Sequence, residues 1–293
     1  MPPGWTRPNA MPYTTPTFTL PATPSTGTDA TIEVAKGQSV AVRVYGQRKH
    51  GAVLPLVVHF HGGAFVSGDL DNGCTVAGLL QAAGACVVSV AYPLSPAHPF
   101  PQPLETGYAV LAWAYRHRAK LAGAGAPVYL AGEEAGGNLA AGVALMARDR
   151  LHPPVAGQIL LSPMLDPCVA TASQREATGA ATACKWAEGW MKFLRSARDA
   201  EHPYAVPAGA QRLAGLPPTL VLVGDADPLR DEALAYADRL EAAGQQVHRH
   251  VFTQVDQWPE SLLQPGAQRC PCAPQVQAQF ERFFEATRCR APE

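Results

Sequence analysis

The residues best suited to chemistry stand where a short apolar run meets a helical pattern. Residues 132–137 are Gly-Glu-Glu-Ala-Gly-Gly, and Glu134 lies among these small residues. Such glycines allow a sharp turn from a strand into a helix, which presents the central side chain at the helix N-terminus. A carboxylate is favoured there because helix N–H groups point toward it. Glu134 is therefore a candidate acid or base, whereas its attack on an ester would give only an anhydride.

Two further segments bring polar groups to the ends of apolar runs. Residues 61–65 are His-Gly-Gly-Ala-Phe, and their small side chains allow backbone N–H groups to approach a substrate carbonyl closely. Residues 224–232 follow another apolar run and contain Asp227. In an open parallel sheet the ligand crevice lies at the carboxyl ends of the strands.

Six short, nearly continuous apolar runs are predicted to be strands buried on both faces of a sheet. They are residues 56–60, 86–90, 127–131, 159–161, 220–223 and 247–252. Helical spacing of apolar residues is found at 104–115, 139–146, 234–240 and 276–284. This alternation predicts right-handed crossovers and an α/β fold with a mostly parallel central sheet flanked by helices.

The whole chain, residues 1–293, is predicted to form one domain of this kind. Residues 1 to about 30 are rich in proline and threonine and are expected to form an irregular arm. Residues from about 165 to 215 interrupt the alternation and are expected to form a helical excursion. Both segments are predicted to act as cap elements over the edge of the sheet that carries the site.

Composition and charge exclude several functions. The chain has 293 residues, a formal net charge of -1, 47% hydrophobic residues and 16% charged residues. The charge balance argues against a nucleic-acid groove and against a polybasic membrane patch, and the apolar content argues against disorder. No run of about 18 apolar residues predicts a spanning helix, and the N-terminus lacks the pattern of a secretory signal.

The cysteines and histidines predict neither a disulfide framework nor a metal site. The 7 cysteines form an odd, scattered set, and several lie in apolar stretches, as reduced core cysteines do. We therefore expect a reduced, cytoplasmic protein. His248 and His250 share one face of the last predicted strand, but no third ligand is nearby in the sequence. No metal and no cofactor are implied.

Taken together, these segments and the proline-rich run at residues 92–101 resemble the hormone-sensitive-lipase family of α/β-hydrolases, whose members are carboxylesterases and small-acyl deacetylases. The resemblance covers about residues 50–290 and implies an α/β-hydrolase fold with a helical cap. It implies that the N–H groups of Gly63, Ala64 and Ala135 form an oxyanion hole and that Asp227 is the acid of a triad. Dimers are common in that family, which allows a homodimer here.

The chain departs from that family at the two residues that perform the chemistry. Glu134 stands where the family has its nucleophilic serine. After the last strand, Gln257 stands where the family has its histidine, with an uncertainty of one residue toward Asp256. Acyl transfer by a triad needs an attacking hydroxyl and a base that removes its proton, and a glutamine amide is no base near neutral pH. We therefore predict no ordinary esterase activity.

Three functions remain open for a chain with these replacements. Glu134 could act as an acid or base in a non-hydrolytic step on a small acyl or carbonyl compound, with Asp227 and Asp256 sharing protons. Its carboxylate could instead fold into the oxyanion hole, which would make the protein a catalytically dead binding or partner protein. Residual or relocated carboxylesterase activity is the third alternative.

Four other side chains near these segments have structural explanations as well as functional ones. His59 and His61 flank a strand end and could be bases, but the more common role of such histidines is to hydrogen-bond loop backbone. Trp186 and Trp190 lie on one face of a predicted cap helix. They could line the pocket or simply pack the cap.

Overall fold

The computed structural model describes residues 27–48, 51–177, 180–253, 258 and 271–288, with backbone alone at 177 and 180–184. Its strands are β1 (Thr28–Ala35), β2 (Gln38–Tyr45), β3 (Leu56–Phe60), β4 (Cys86–Val90), β5 (Val128–Glu133), β6 (Gly157–Leu161), β7 (Thr219–Gly224) and β8 (Val247–Phe252). They form one sheet in the order β1-β2-β4-β3-β5-β6-β7-β8. The strands from β3 to β8 pair in parallel, whereas β1 and β2 are antiparallel. The predicted mostly parallel sheet is confirmed.

Helices cover both faces of the sheet. They are α1 (Cys74–Ala82), α2 (Gln102–Leu121), α3 (Ala135–Asp149), α4 (Ala172–Ala177), α5 (Ala180–Phe193), α6 (Ala197–Ala200), α7 (Arg230–Ala242) and α8 (Ala273–Arg288). Side chains of α2, α3 and α7 share one apolar core with the sheet, and those of α1 and α8 form the core of the opposite face. The α/β layer arrangement expected from the sequence is therefore confirmed.

Burial explains which strands the sequence revealed. Every residue of β3, β4, β5, β6 and β7 is buried, which is why these strands are continuous apolar runs. In β1 and β2 only alternate residues face the core, such as Ile32 and Val34. Neither strand is a continuous apolar run, so neither was predicted. Their alternation of apolar and polar residues is nevertheless the usual signal of a half-buried strand. The prediction of an irregular arm is wrong for residues 28–30, which belong to β1. Residues 1–26 lie outside the described residues, so the arm and its role as a cap element stay predictions there.

The connection from β6 to β7 contains α4, α5, α6 and a short 3-10 helix, Pro207–Gly209. It crosses the carboxyl ends of the strands, because α5 lies against the loop that follows β3. In an open parallel sheet this edge is where ligands bind. The fold thus places α5 beside the segments that the sequence analysis selected.

The cysteines correct one expectation. Cys272 is disulfide-bonded, whereas Cys74, Cys86 and Cys168 are free. The prediction of fully reduced cysteines is therefore wrong for Cys272, because sequence spacing does not reveal which sulfurs the fold brings together. The cysteine argument for a cytoplasmic location loses its support.

Within the described residues, no helix combines the length and the apolar character that crossing a bilayer requires. The same part of the chain contains no group of three or more metal-ligating side chains suited to a metal ion.

Candidate active site

Glu134 lies at the tip of a strained turn between β5 and α3. It caps the N-terminus of α3 with a φ of 53° and a ψ of -117°. A positive φ is uncommon for a residue with a side chain and is held here by its surroundings. A Cβ added at Gly136 would lie 2.0 Å from the Phe60 carbonyl oxygen, so only glycine lets α3 begin this close to the end of β3. The turn therefore presents the Glu134 side chain beside the loop after β3.

The Glu134 carboxylate is buried and engaged at both oxygens. Its side chain is 2% exposed. Oε2 accepts hydrogen bonds from the backbone N–H of Gly63 at 2.6 Å and of Ala64 at 3.3 Å. Oε1 accepts a bond from Trp186 Nε1 at 2.7 Å and pairs with Lys185 Nζ at 2.8 Å. The side chain folds onto the backbone donors and does not project into open space.

These partners stabilise the charged form of Glu134. Burial by itself raises the pKa of this carboxyl. The charge of Lys185 and hydrogen bonds from Lys185, Gly63 and Trp186 lower the pKa more, so the net pKa lies below the ordinary value of 4.5. Glu134 is consequently an anion at neutral pH.

Helix α5 packs directly on the loop that carries the backbone donors. A Cβ added at Gly189 would lie 2.4 Å from the carbonyl oxygen of Ala64, so this approach requires glycine. Further along the helix, the Phe193 ring stacks on Phe65 with centroids 4.0 Å apart, and Trp190 packs on Phe65 at 5.1 Å. All of these rings are buried. The helix therefore covers the apolar side of the site.

Asp227 lies after β7 and is almost fully buried. Its Oδ1 accepts a bond from the N–H of Leu229 at 2.8 Å, and its Oδ2 accepts bonds from Ser162 Oγ and, at 3.0 Å, from Trp258 Nε1. Burial raises the pKa of Asp227 to about 6, although these donors oppose the increase. Trp258 Nε1 also lies 2.9 Å from Ser162 Oγ. An indole N–H donates a hydrogen bond but cannot take up a proton as an imidazole does.

The structure brings together some of the predicted site residues. Gly63 and Ala64 donate to Glu134 as described, whereas Ala135, the first residue of α3, makes no such bond among the described contacts. Gln257 and Asp256 lie outside the described residues, so their predicted roles stay predictions.

Sequence reasoning missed two contributors to the site. Trp258 is next to the predicted histidine position. The available signal was that its ring N–H could donate a hydrogen bond to the Asp227 carboxylate. Lys185 is next to Trp186 in the predicted cap. A basic residue there was a possible ion-pair partner for the Glu134 carboxylate. Of the two tryptophans left open, Trp186 bonds to Glu134 and Trp190 packs on aromatic rings.

The neighbouring histidines have structural partners. His59 Nε2 lies 2.7 Å from Glu133 Oε2, and its Nδ1 lies 3.0 Å from Ser89 Oγ. His61 Nδ1 lies 2.7 Å from the carbonyl oxygen of its neighbour Gly62. Both rings are buried behind the turn. Within the described part of the chain, no histidine hydrogen-bonds to Glu134.

Comparisons with known proteins agree with this architecture. A family model described as the alpha/beta hydrolase fold matches residues 57–256. The chain is 35% identical over 204 residues to Esterase LipI of Mycobacterium tuberculosis, a match that spans 68% of this chain and 63% of the esterase. It is 35% identical over 211 residues to a gibberellin receptor of Arabidopsis thaliana, spanning 67% of this chain and 60% of the receptor.

A solved structure gives the same result. The chain resembles the hyperthermophilic esterase from Pyrobaculum calidifontis with a TM-score of 0.75 and 32% identity, covering 89% of this chain and 86% of that one. The matched region includes β3, the turn at Glu134 and the segment around Asp227. The chain belongs to the hormone-sensitive-lipase-like carboxylesterase family of α/β-hydrolases.

Proposed function

We propose that this chain does not hydrolyse esters and that it binds a small acyl or carbonyl compound at the site of Glu134. The observation that carries the proposal is the position of the Glu134 carboxylate on the N–H groups of Gly63 and Ala64. In a hydrolase of this family those N–H groups would form the oxyanion hole and stabilise the charge that develops on the substrate oxygen. Here an internal anion occupies them.

Among the described residues, neither half of the triad chemistry has a suitable group. The tip of the turn carries a carboxylate, which cannot form the acyl ester that a serine forms. The buried Asp227 would orient a catalytic imidazole, but its Oδ2 is bonded to the indole N–H of Trp258. An aspartate paired with an indole activates no nucleophile. The proposed site is therefore a triad that has lost its function at two positions.

The contacts of Glu134 favour binding over acid–base catalysis. A general acid or base works best when its pKa lies near the working pH. The pKa of Glu134 is lowered, and both carboxylate oxygens are held by donors. Such a group neither gives up nor takes up a proton easily near neutral pH. Non-hydrolytic acid–base chemistry is consequently the second candidate, to be separated by experiment.

The rim of the site is partly exposed, which supports access for a ligand. The side chain of Lys185 is 50% exposed, and Gly63 is partly exposed. A ligand oxygen can reach the N–H group of Gly63 from this rim when the carboxylate moves aside. The similarity to a gibberellin receptor supports binding as a function of this scaffold.

The test of hydrolysis uses the native protein, a fluorophosphonate probe and p-nitrophenyl acetate. We expect no covalent adduct and no release of nitrophenol above the rate in buffer, because no activated hydroxyl is available. Glu188→Gln is the matched control, since Glu188 lies exposed on α5 and its ion-pair partner in the described part of the chain is Lys192. An adduct, or turnover that survives repurification, would overturn the first half of the proposal.

The test of binding follows the indole N–H signal of Trp186 by NMR while phenyl acetate, acetophenone or γ-butyrolactone is added. We expect at least one of these carbonyl compounds to shift the signal, because Trp186 shares the carboxylate that the ligand must displace. A Trp186→Phe variant assigns the signal. An unchanged signal with all three compounds would count against a carbonyl ligand at this site.

A further inference from the structure

We propose that Glu134, Lys185 and Trp186 form a latch on helix α5. The latch is closed when the N–H groups of Gly63 and Ala64 bond to the Glu134 carboxylate, and it opens when they bond to a ligand. In this proposal a ligand that takes those N–H groups displaces the carboxylate and thereby releases the N-terminal part of α5. The inference rests on the proposed function, because it assigns the regulation of that same binding site.

The coupling arises from the geometry of one carboxylate. Its Oε2 is held by the loop after β3, through Gly63 and Ala64. Its Oε1 is held by α5, through Trp186 and Lys185. The two oxygens belong to one rigid planar group, so displacement of Oε2 from the loop also disturbs the bond that Oε1 accepts from the buried Trp186 indole. A single side chain thus connects the occupied donors with the helix above them.

Helix α5 is attached differently at its two ends. Near its C-terminus, Phe193 and Trp190 pack against Phe65, and the Phe193 carbonyl oxygen accepts a hydrogen bond from the N–H of Phe100 at 2.9 Å. Among the side chains described on the preceding part of the helix, the polar contacts to the body of the protein are those of Lys185 and Trp186 with Glu134. The aromatic end is therefore expected to stay in place when the latch opens.

The charges allow the latch to open without leaving an isolated buried ion. Glu134 is ionised and has Lys185 as its counter-ion. Because the Lys185 side chain is half exposed, the pair can move toward solvent together and stay paired. The movement breaks the hydrogen bonds that Gly63, Ala64 and Trp186 donate to the carboxylate. A ligand oxygen then accepts the bonds from Gly63 and Ala64 in its place.

Hydrogen–deuterium exchange of peptides covering residues 185–194 tests the latch without any ligand. We expect Glu134→Gln to raise exchange at residues 185–189 of this segment by about tenfold or more, because the amide keeps neither the ion pair nor a second acceptor. Residues 190–194, which the aromatic contacts hold, should keep their native exchange. Lys185→Met and Trp186→Phe each remove one contact and are expected to give intermediate increases. Glu188→Gln, on the same helix, is the control and should match the native protein.

Exchange in β5 and α3 shows whether a variant is still folded. If these elements keep native protection while 185–189 exchanges faster in Glu134→Gln, the latch is supported. If 185–189 exchanges at the native rate in both Glu134→Gln and Lys185→Met, the latch is refuted. If Glu134→Gln does not fold, the exchange of Lys185→Met alone tests the latch. The half-exposed side chain of Lys185 can be replaced without unfolding the core.

Failure of the proposed function is separate from failure of the latch. A fluorophosphonate adduct on the native protein would refute the binding-only function, whatever the exchange data show. Absence of an adduct together with unchanged exchange in both variants would refute the latch and leave the binding function standing.

Discussion

The side chain of Glu134 determines what the turn between β5 and α3 can do. The same turn with a hydroxyl would offer a nucleophile next to two N–H donors. With a carboxylate, the donors are occupied and the strained tip becomes an anchor point for Lys185 and Trp186. In the proposed function, this residue type makes the site one that must be opened before a ligand oxygen can reach the donors.

Glu134→Ser by itself is expected to remain unreactive toward a fluorophosphonate. The new hydroxyl would lack a base, because Asp227 is bonded to the Trp258 indole and no histidine ring reaches residue 134 in the described part of the chain. Mass spectrometry of the variant after treatment provides the measurement. An adduct on the new serine would mean that a base lies within reach and that the site is closer to a working hydrolase.

Lys185→Met is expected to destabilise the protein by about 1–2 kcal/mol, because it leaves a buried carboxylate without its cation while exposure of the lysine limits the effect. Lys192→Met is the matched control on the same helix, since Lys192 pairs with Glu188 at the surface, and its expected cost is below about 1 kcal/mol. Urea unfolding at neutral pH measures both. Equal costs would contradict the assigned role of Lys185.

The sequence predicted the position of Glu134 but left open where its carboxylate points. Gly63 and Trp186 are 71 and 52 residues away along the chain, so the answer depends on how α5 packs on the loop after β3. The pattern of glycines defines a turn locally, and the strand ends define an edge of the sheet. Nothing local to Glu134 specifies that a lysine and an indole from the β6–β7 connection will meet it.

At the scale of elements, the close contact between α5 and the loop after β3 is built on one glycine. Gly189→Ala is expected to destabilise the protein by about 1–3 kcal/mol, although alanine favours helix, because its Cβ would collide with the Ala64 carbonyl oxygen. Gly209→Ala serves as the control, since its added Cβ meets its nearest atom at an ordinary 3.8 Å. Thermal unfolding that is unchanged in Gly189→Ala would show that α5 does not sit this close to the loop.

The start of the β6–β7 connection is held by a buried carboxyl on α7. Glu232 accepts a bond from the N–H of Leu165 at 2.8 Å and another from Gln174 at 3.2 Å. Burial, with smaller contributions from Asp166 and Asp227, raises the pKa of Glu232 to about 8, although the Leu165 N–H opposes it. Because the folded state binds this proton more tightly than the unfolded state, its stabilising effect is present at low pH. That stability is lost as the pH rises from the ordinary value toward 8.

Glu232→Gln is therefore expected to flatten the loss of stability between pH 4.5, the ordinary pKa of this carboxyl, and about pH 8. The melting temperature of the native protein should fall more steeply over this interval than that of the variant. Differential scanning calorimetry of both proteins across the interval gives the comparison. Parallel curves would mean that Glu232 does not titrate there.

Element prediction from the sequence succeeded where burial is two-sided and failed where it is one-sided. The five strands from β3 to β7 are fully buried and apolar enough to be recognised on their own. β8 was also predicted, but the prediction that it is buried on both faces is wrong, because of its residues only Phe252 is fully buried. The hairpin of β1 and β2 presents half of its residues to solvent. Helix α1 was not predicted either, because no helical spacing of apolar residues was recognised in its sequence. The parallel strands alone were enough to predict how the central strands pair and therefore at which edge of the sheet the site lies.

At the scale of the whole molecule, the chain has the fold of an α/β-hydrolase, and in the proposed function its reactive groups differ from those of a hydrolase. The family match covers residues 57–256, and the solved esterase structure covers 89% of this chain. Asp227 stays buried after β7, although its partner is now an indole. Scaffold and chemistry are separable because stability depends on the apolar core, whereas reactivity depends on a few side chains at one edge of the sheet.

The titration of the Glu134 carboxyl, followed by carbon-13 NMR in the native protein and assigned with Glu134→Gln, tests most directly whether this anion is locked on the backbone donors. A midpoint below the ordinary value of 4.5 is predicted, because Lys185, Gly63 and Trp186 together outweigh the effect of burial. A midpoint near neutral pH would contradict this, since Glu134 would then be free to act as an acid or base.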